Sequence, residues 1–320
     1  MFCRKIYYPL FLLVIWLTAS IAHGQSNSKE EAVRRGLQWM RNFTANRRKF
    51  DYICSDYVVM LNELTLREGK IARIARADLQ LAFARAACRL PLVFEDNDYG
   101  AWDFLSFLGV LQAHPFPKKS FHRYFRKHLA KRLKPYPVHE FAEAVRKNDY
   151  VKLGDILIDA CFVHWLEHDY PGQFPELPEN LYPQYWELAK KGEFIYDDSA
   201  DIVVFFDQHY YVTHLVYVQT NYGCHPFPKG KFKDRIVQYI KDNYHYSRYV
   251  EKDLDLTAEF IHCLTMLDHG DSPQVNDGVQ FLLANQHEDG SWGTEEDLAS
   301  DPYVQCHSTW AVSVALNAAP

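Results

Sequence analysis

The five residues His114-Pro115-Phe116-Pro117-Lys118 recur 111 positions further on as His225-Pro226-Phe227-Pro228-Lys229, with Phe121 and Phe232 following at matching places. Two prolines in four residues stop one helix and start the next, because proline lacks a backbone donor and its ring clashes with the preceding helical turn. A chain that repeats such a corner is built from duplicated helix–corner–helix units. Carried backwards, the same offset sets Trp102-Asp103-Phe104 against Thr213-His214-Leu215, so Asp103 and His214 fall at equivalent positions on apolar helices. A looser repeat relates Ala32-Val33-Arg34-Arg35-Gly36-Leu37-Gln38-Trp39-Met40 to Gln274-Val275-Asn276-Asp277-Gly278-Val279-Gln280-Phe281-Leu282. A third sets Asp155 and Asp159 against Asp255 and Glu259, each pair at i, i+4 on an apolar helix. Repeated helical hairpins make an open solenoid or a closed ring. Relatedness that runs from the first helix to the last favours the ring.

Helical periodicity dominates elsewhere. Apolar stripes predict helices over Glu30–Asn42, Tyr57–Leu66 and Ile71–Cys88, and strand-like β-branched sequence is scarce outside Ile202-Val203-Val204. The fold class read from this pattern is all-α, with about a dozen helices joined by short Pro/Gly connections. Apolar residues make up 48% of the chain and aromatics 15%, enough for one large core, so residues 25–320 read as a single domain.

Arg4 and Lys5, the apolar run Ile6 to Ile21, and small residues at Ala22 and Gly24 read as a secretory signal peptide over 1–24. The alternative is an uncleaved anchor, since the run approaches the roughly 17-residue minimum for spanning a bilayer. The signal-peptide reading places the protein outside the cytoplasm, secreted or periplasmic. Cleavage removes Arg4 and Lys5 and shifts the formal net charge from −6 to −8. That acidic balance argues against nucleic acid as the partner. Six cysteines would remain (Cys54, Cys88, Cys161, Cys224, Cys263, Cys306), read either as one or two bridges between neighbouring helices or as buried free thiols. Asn42-Phe43-Thr44 is a glycosylation acceptor if the source is a eukaryote.

Gln286-His287-Glu288-Asp289-Gly290-Ser291-Trp292-Gly293 resembles the QW motif of terpenoid cyclases, which share the α/α-toroid superfamily with protein prenyltransferase β subunits. The following Cys306-His307-Ser308-Thr309-Trp310 is similar to the start of the inner helix that supplies a zinc-binding His in prenyltransferases, and reads as a helix opening on a polar pair. The resemblance implies an α/α toroid of helical hairpins around a central cavity. Gln286, Gly290 and Trp292 then have a structural role: Gly290 takes the left-handed cap and Trp292 packs between helices. Departures from the family limit the chemistry. The Asp-x-Asp-Asp acid of class II cyclases is incomplete at Asp253-Leu254-Asp255-Leu256. Asp197-Asp198-Ser199-Ala200-Asp201 matches a diphosphate motif but lacks a second metal motif, and no cysteine sits in a thioester setting.

An ionisable residue on an inner apolar helix needs a partner, water or a ligand to offset its desolvation. The set that meets this description is Asp103, His214, Asp253, Asp255, Glu259, Cys306 and His307, with His307 opening the next inner helix but one after Asp255 and Glu259. Three chemistries compete for it. The prenyltransferase resemblance implies zinc held by Asp253, Asp255 and His307, with His214 a further ligand and an open position left for water or substrate. Metal-free acid–base catalysis would use His214 or His307 as proton carrier with Asp255 or Glu259, suiting a polysaccharide hydrolase or lyase whose stacking walls are Tyr210, Tyr211, Tyr217, Tyr222 and Trp310. A satisfied hydrogen-bond network in a non-catalytic ligand-binding or scaffold protein is the third. The expected ligand is accordingly a small-molecule or polymer substrate. Residues 118–134 read as a basic amphipathic helix with Phe121, Tyr124, Phe125 and Leu129 on its apolar side, either a solvated outer helix or a contact with an anionic surface.

Overall fold

The computed structural model describes residues 29–94, 100–194, 202–293 and 302–320. The 1–24 leader and the Asp197-to-Asp201 match lie outside these residues. All regular structure among the described residues is helical, and none of their helices is long and apolar enough to cross a membrane. In chain order the helices are α1 (29–45), α2 (Arg47–Thr65), α3 (Lys70–Ala87), α4 (Leu90–Phe94), α5 (Gly100–Ala113), α6 (Lys119–Tyr124) and α7 (Val138–Lys147). They continue with α8 (Tyr150–Asp169), α9 (Tyr182–Ala189), α10 (Ile202–Thr220), α11 (Lys231–His245), α12 (Leu254–Met266), α13 (Pro273–Ala284) and α14 (Pro302–Ala318).

Six helices follow one another in a circuit of contacts. α2 packs on α5, α5 on α8, α8 on α10, α10 on α12, α12 on α14, and α14 returns to α2. The others lie against this set: α3 on α2, α4 on α5, α7 and α9 on α8, α11 and α13 on α12. Side-chain caps set where several begin. Asn46 accepts from the amides of Arg48 and Lys49 to start α2, ten residues before the apolar stripe predicted at Tyr57. Ser272 caps α13, with Pro273 at its first position.

The first and last helices are latched by the turn after α13. Gln286 Nε2 donates to Ala32 O and Gly290 O (2.8 and 2.9 Å). Arg35 donates to the carbonyls of His287 and Glu288, and Trp39 Nε1 donates to Asp289. Trp292 is fully buried and donates its indole proton to Leu282 O. Gly290 has φ +98°, and a Cβ there would lie 2.7 Å from Arg35 O, so only glycine fits on both counts. The matched glycines Gly36 and Gly278 both sit where helices touch, with added Cβ atoms 2.7 Å from Ser313 Oγ and 2.6 Å from Ile261 Cγ2 respectively.

Several local expectations need correction. Ile202-Val203-Val204 opens α10 instead of forming a strand; no partner strand is at hand among the described residues, and tertiary packing overrides the β-branched preference. Cys306-His307 does not open the last helix, which starts earlier at Pro302. His307 is therefore in the second turn, and α14 packs directly on α12. All six cysteines are unbridged, with Cys54, Cys161, Cys263 and Cys306 buried. The basic stretch is not one helix: α6 passes into a π-helical turn at Phe125–Leu129 and a 3₁₀ turn at Ala130–Arg132. Its apolar side is already used, since Phe121, Phe125 and Leu129 are fully buried, with Phe104 of α5 stacked on Phe125 and Phe107 tilted against Phe121.

Candidate functional site

Each of the six circuit helices presents an ionisable side chain to one central cavity of about 340 Å³. The lining follows helical spacing. α2 contributes Asp56, Val59 and Glu63; α5 contributes Trp102, Asp103 and Ser106; α8 contributes Asp155, Ile158, Asp159 and Phe162. From the other side come His214 and Tyr217 of α10, Glu259 and His262 of α12, and Tyr303, His307 and Trp310 of α14. Asp103 and His214, equivalent in the sequence repeat, thus line the same space.

Glu259 and His307 meet on this wall, and Asp255, outside the lining, joins them. His307 Nδ1 lies 3.2 Å from both carboxylate oxygens of Asp255, and Asp255, Glu259 and His307 each place a ligand atom within 4.8 Å of the others. The i, i+4 spacing puts Asp255 and Glu259 one turn apart on a single face of α12, and α14 brings in the imidazole. Glu259 is 4% exposed. Thr213 Oγ1 lies 2.5 Å from Glu259 Oε2 and 2.7 Å from Tyr210 O. One hydroxyl proton serves one acceptor, so when Thr213 donates to the carbonyl a protonated Glu259 donates to Thr213.

Asp253 is not part of the trio. Its carboxylate caps α12, accepting from the amides of Asp255 and Leu256 and from Tyr210 Oη. The i, i+2 arrangement expected for zinc fails because a residue capping a helix has its oxygens aimed at the helix's own first amides. Tyr210 is therefore engaged, and Tyr211 packs against Tyr150, whereas Tyr217, Tyr222 and Trp310 do line the cavity. Cys306 is buried and outside the lining. A nitrogen and two carboxylate oxygens at this spacing fit a divalent cation, with Asp255, Glu259 and His307 as the holders and His214 outside the set.

Electrostatics divide the cavity. Burial, reinforced by the Asp255 charge, holds Glu259 above the usual carboxylate range. Burial likewise pushes Glu63 up to about 8, even though Trp310 Nε1 donates to it at 2.6 Å. On the far side, burial with the Asp155 and Asp103 charges raises Asp159 to about 8, and burial with the Asp56 charge raises Asp103 to about 7. His307 runs the other way. Burial alone would lower it, but the Asp255 carboxylate, by its charge and the hydrogen bond it accepts from Nδ1, holds it protonated above its ordinary value. Burial and the His307 charge lower His214 to about 4, so it is neutral.

Asp56, Glu63, His262 and Tyr303 escaped the sequence reading. For Asp56 and Glu63 the signal was present, as two carboxylates seven residues apart within the apolar stripe of α2. Nothing in the sequence said that the stripe faced a cavity.

Residues 182–311 match a family model described as a domain of unknown function (DUF6895). The match runs from α9 into α14. It takes in His214, Asp255, Glu259 and His307 but none of the carboxylates on α2, α5 and α8. No curated protein and no solved structure matches the chain.

Proposed function

We propose that the protein is an exported α/α-toroid enzyme that cleaves a bond in an uncharged, hydroxyl-rich substrate, of the carbohydrate class, by acid–base chemistry in its central cavity. The closed contact circuit of α2, α5, α8, α10, α12 and α14 supports the toroid. The 1–24 sequence pattern supports export. The observation that carries the chemistry is that Glu259 and His307 meet on the wall of a cavity otherwise lined by carboxyl groups and aromatic rings, with Asp255, outside the lining, paired to His307. Carboxyl groups, neutral or ionised, exchange hydrogen bonds with hydroxyls, while Trp102, Tyr217, Tyr222, Tyr303 and Trp310 offer faces for sugar C–H groups. The volume falls within the roughly 300–1,000 Å³ common for ligand sites.

In this reading Glu259, kept neutral by its surroundings, donates a proton to the leaving oxygen. The Asp255–His307 pair sets the charge beside it. Asp103 on α5, raised only to about 7 and so still partly ionised at neutral pH, is the base toward the attacking water, while Asp159 on α8, raised to about 8, is a neutral hydrogen-bond donor to the substrate. A pair of carboxyl groups in opposite protonation states is what glycosidic cleavage requires, and loss of the acid costs typically 10²–10⁴-fold in rate.

The test is reducing-end release from a panel of neutral oligosaccharides and polysaccharides, with Glu259→Gln alongside. Turnover of at least one glycan that vanishes in the folded variant supports the proposal. Glycan binding without turnover overturns the enzyme reading in favour of a ligand-binding protein; neither binding nor turnover overturns the carbohydrate assignment.

The ligand-atom spacing favours a second reading, metal-assisted hydrolysis with Asp255, Glu259 and His307 holding a divalent ion such as zinc, which would polarise a bound oxygen. Stoichiometric metal in the purified chain, lost in His307→Gln, would favour it.

A further inference from the structure

The two proline corners treat their histidines differently. At the first, His114 Nε2 is paired with the side-chain oxygen of Asn62 at 2.9 Å. At the second, the His225 ring lies flat on Trp165, centroids 4.2 Å apart and planes 7° apart. Its Nε2 is 3.4 Å from Asp169 Oδ2, and the other oxygen of that carboxylate is 2.8 Å from His168 Nδ1.

We propose that His168, Asp169 and His225 form a second metal site, for a divalent transition-metal ion such as zinc, at the rim of a second chamber that adjoins the cavity. One ligand atom from each lies within 4.8 Å of the others. Around a tetrahedral ion with bonds of about 2.0–2.1 Å, neighbouring ligand atoms stand about 3.3 Å apart, so spacings of up to 4.8 Å close on an ion through side-chain movements of about 1.5 Å or less. Two imidazoles and a carboxylate suit zinc, copper or nickel and not magnesium or calcium, which take oxygen ligands. The stack on Trp165 fixes the His225 ring before any ion arrives. Side-chain exposures of 58% for His168, 27% for Asp169 and 29% for His225 leave the site open to an entering ion. Three protein ligands leave a fourth position for water or a ligand group.

The site has a place in the molecule's architecture. Asp169 and His225 line a chamber of about 340 Å³ together with Trp165, Cys224 and Tyr222. Val59, Ser106, Phe162 and Tyr222 line both this chamber and the central cavity. An ion there would set a positive charge on the approach to an acidic interior and tie the end of α8 to the corner after α10. At the first corner, a neutral Asn62 stands where the second supplies a carboxylate, which explains why the duplication produced one site.

The full chain, stripped with a chelator, is titrated with zinc against a chromophoric chelator and with cobalt by visible absorption. The expected result is one zinc equivalent that persists in His307→Gln and disappears in His225→Gln and in His168→Gln. The affinity loss should exceed the 10–100-fold that follows removal of an outer-shell partner. If His225→Gln unfolds, His168→Gln decides alone, because its side chain is mostly exposed. Zinc affinity unchanged in the folded variants, or millimolar affinity in the wild type, overturns the proposal.

Discussion

Asp155 and Asp159 on α8 share their spacing and their circuit position with Asp255 and Glu259 on α12, yet only the second pair meets a cation. α14 brings His307 against Asp255. α8 instead packs between α5 and α10, which bring the carboxylate Asp103 and the neutral His214. Two similar stretches of helix thus become different chemical environments through their neighbours. The α12 pair holds an ion pair beside a neutral acid. On α8 the charges repel one another and favour protonation or a ligand that donates hydrogen bonds.

The largest expected difference is in turnover. Glu259→Gln should reduce kcat by roughly 10²–10⁴-fold, whereas Asp155→Asn, on an exposed residue, should act mainly on KM. Equal losses of kcat in both would break the contrast.

Next comes stability. His307→Gln leaves Asp255 and Glu259 facing each other without a cation. Removing one partner of a buried pair costs about 3–5 kcal/mol; the side chains here retain 30% and 16% exposure, so roughly 2 kcal/mol is expected. Asp255→Asn in the same chain should restore part of that loss in a double-mutant cycle followed by urea denaturation.

The third difference reverses in sign. The carboxyl of Asp159 is raised in the fold, so its neutral form is the stabilised one. The associated stability is complete below about pH 4 and is lost as pH rises through about 8. Asp159→Asn should therefore raise Tm at pH 8 and leave it nearly unchanged at pH 4. Asp255→Asn should lower Tm at pH 7, where His307 depends on its charge. His214, lowered to about 4, acts in the opposite direction: its contribution is present above pH 6.5 and is lost as pH falls through 4.

The last effect, confined to stability, concerns the matched helices that support the circuit. Gly278→Ala forces a methyl against Ile261 and should cost about 1–3 kcal/mol by overpacking, visible as a lower Tm with unchanged kcat.

Much of the helical content was legible because helical periodicity and proline corners are local properties. α3 and the corners at 114–118 and 225–229 were read from them directly. The site was legible in part. His214, Asp255, Glu259 and His307 stand out as ionisable residues on apolar helices, while Asp253, chosen by its i, i+2 spacing, turned out to be a cap. Capping depends on where the helix starts, and spacing alone does not give that start. The cluster at His168, Asp169 and His225 was invisible, because His225 lies more than fifty residues from the adjacent His168 and Asp169 and meets them only where α8 ends beside the corner after α10.

The sequence by itself determined that this chain is helical, that its hairpins are duplicated, and that a glycine must stand at 290 beside a tryptophan at 292. Each of these follows from backbone conformation or from repetition along the chain. Only the tertiary structure decided which acidic residues are neutral, which histidine is charged, and which side chains share a cavity. Those properties depend on desolvation and on charges a few ångströms away, and both are set by helices remote in sequence.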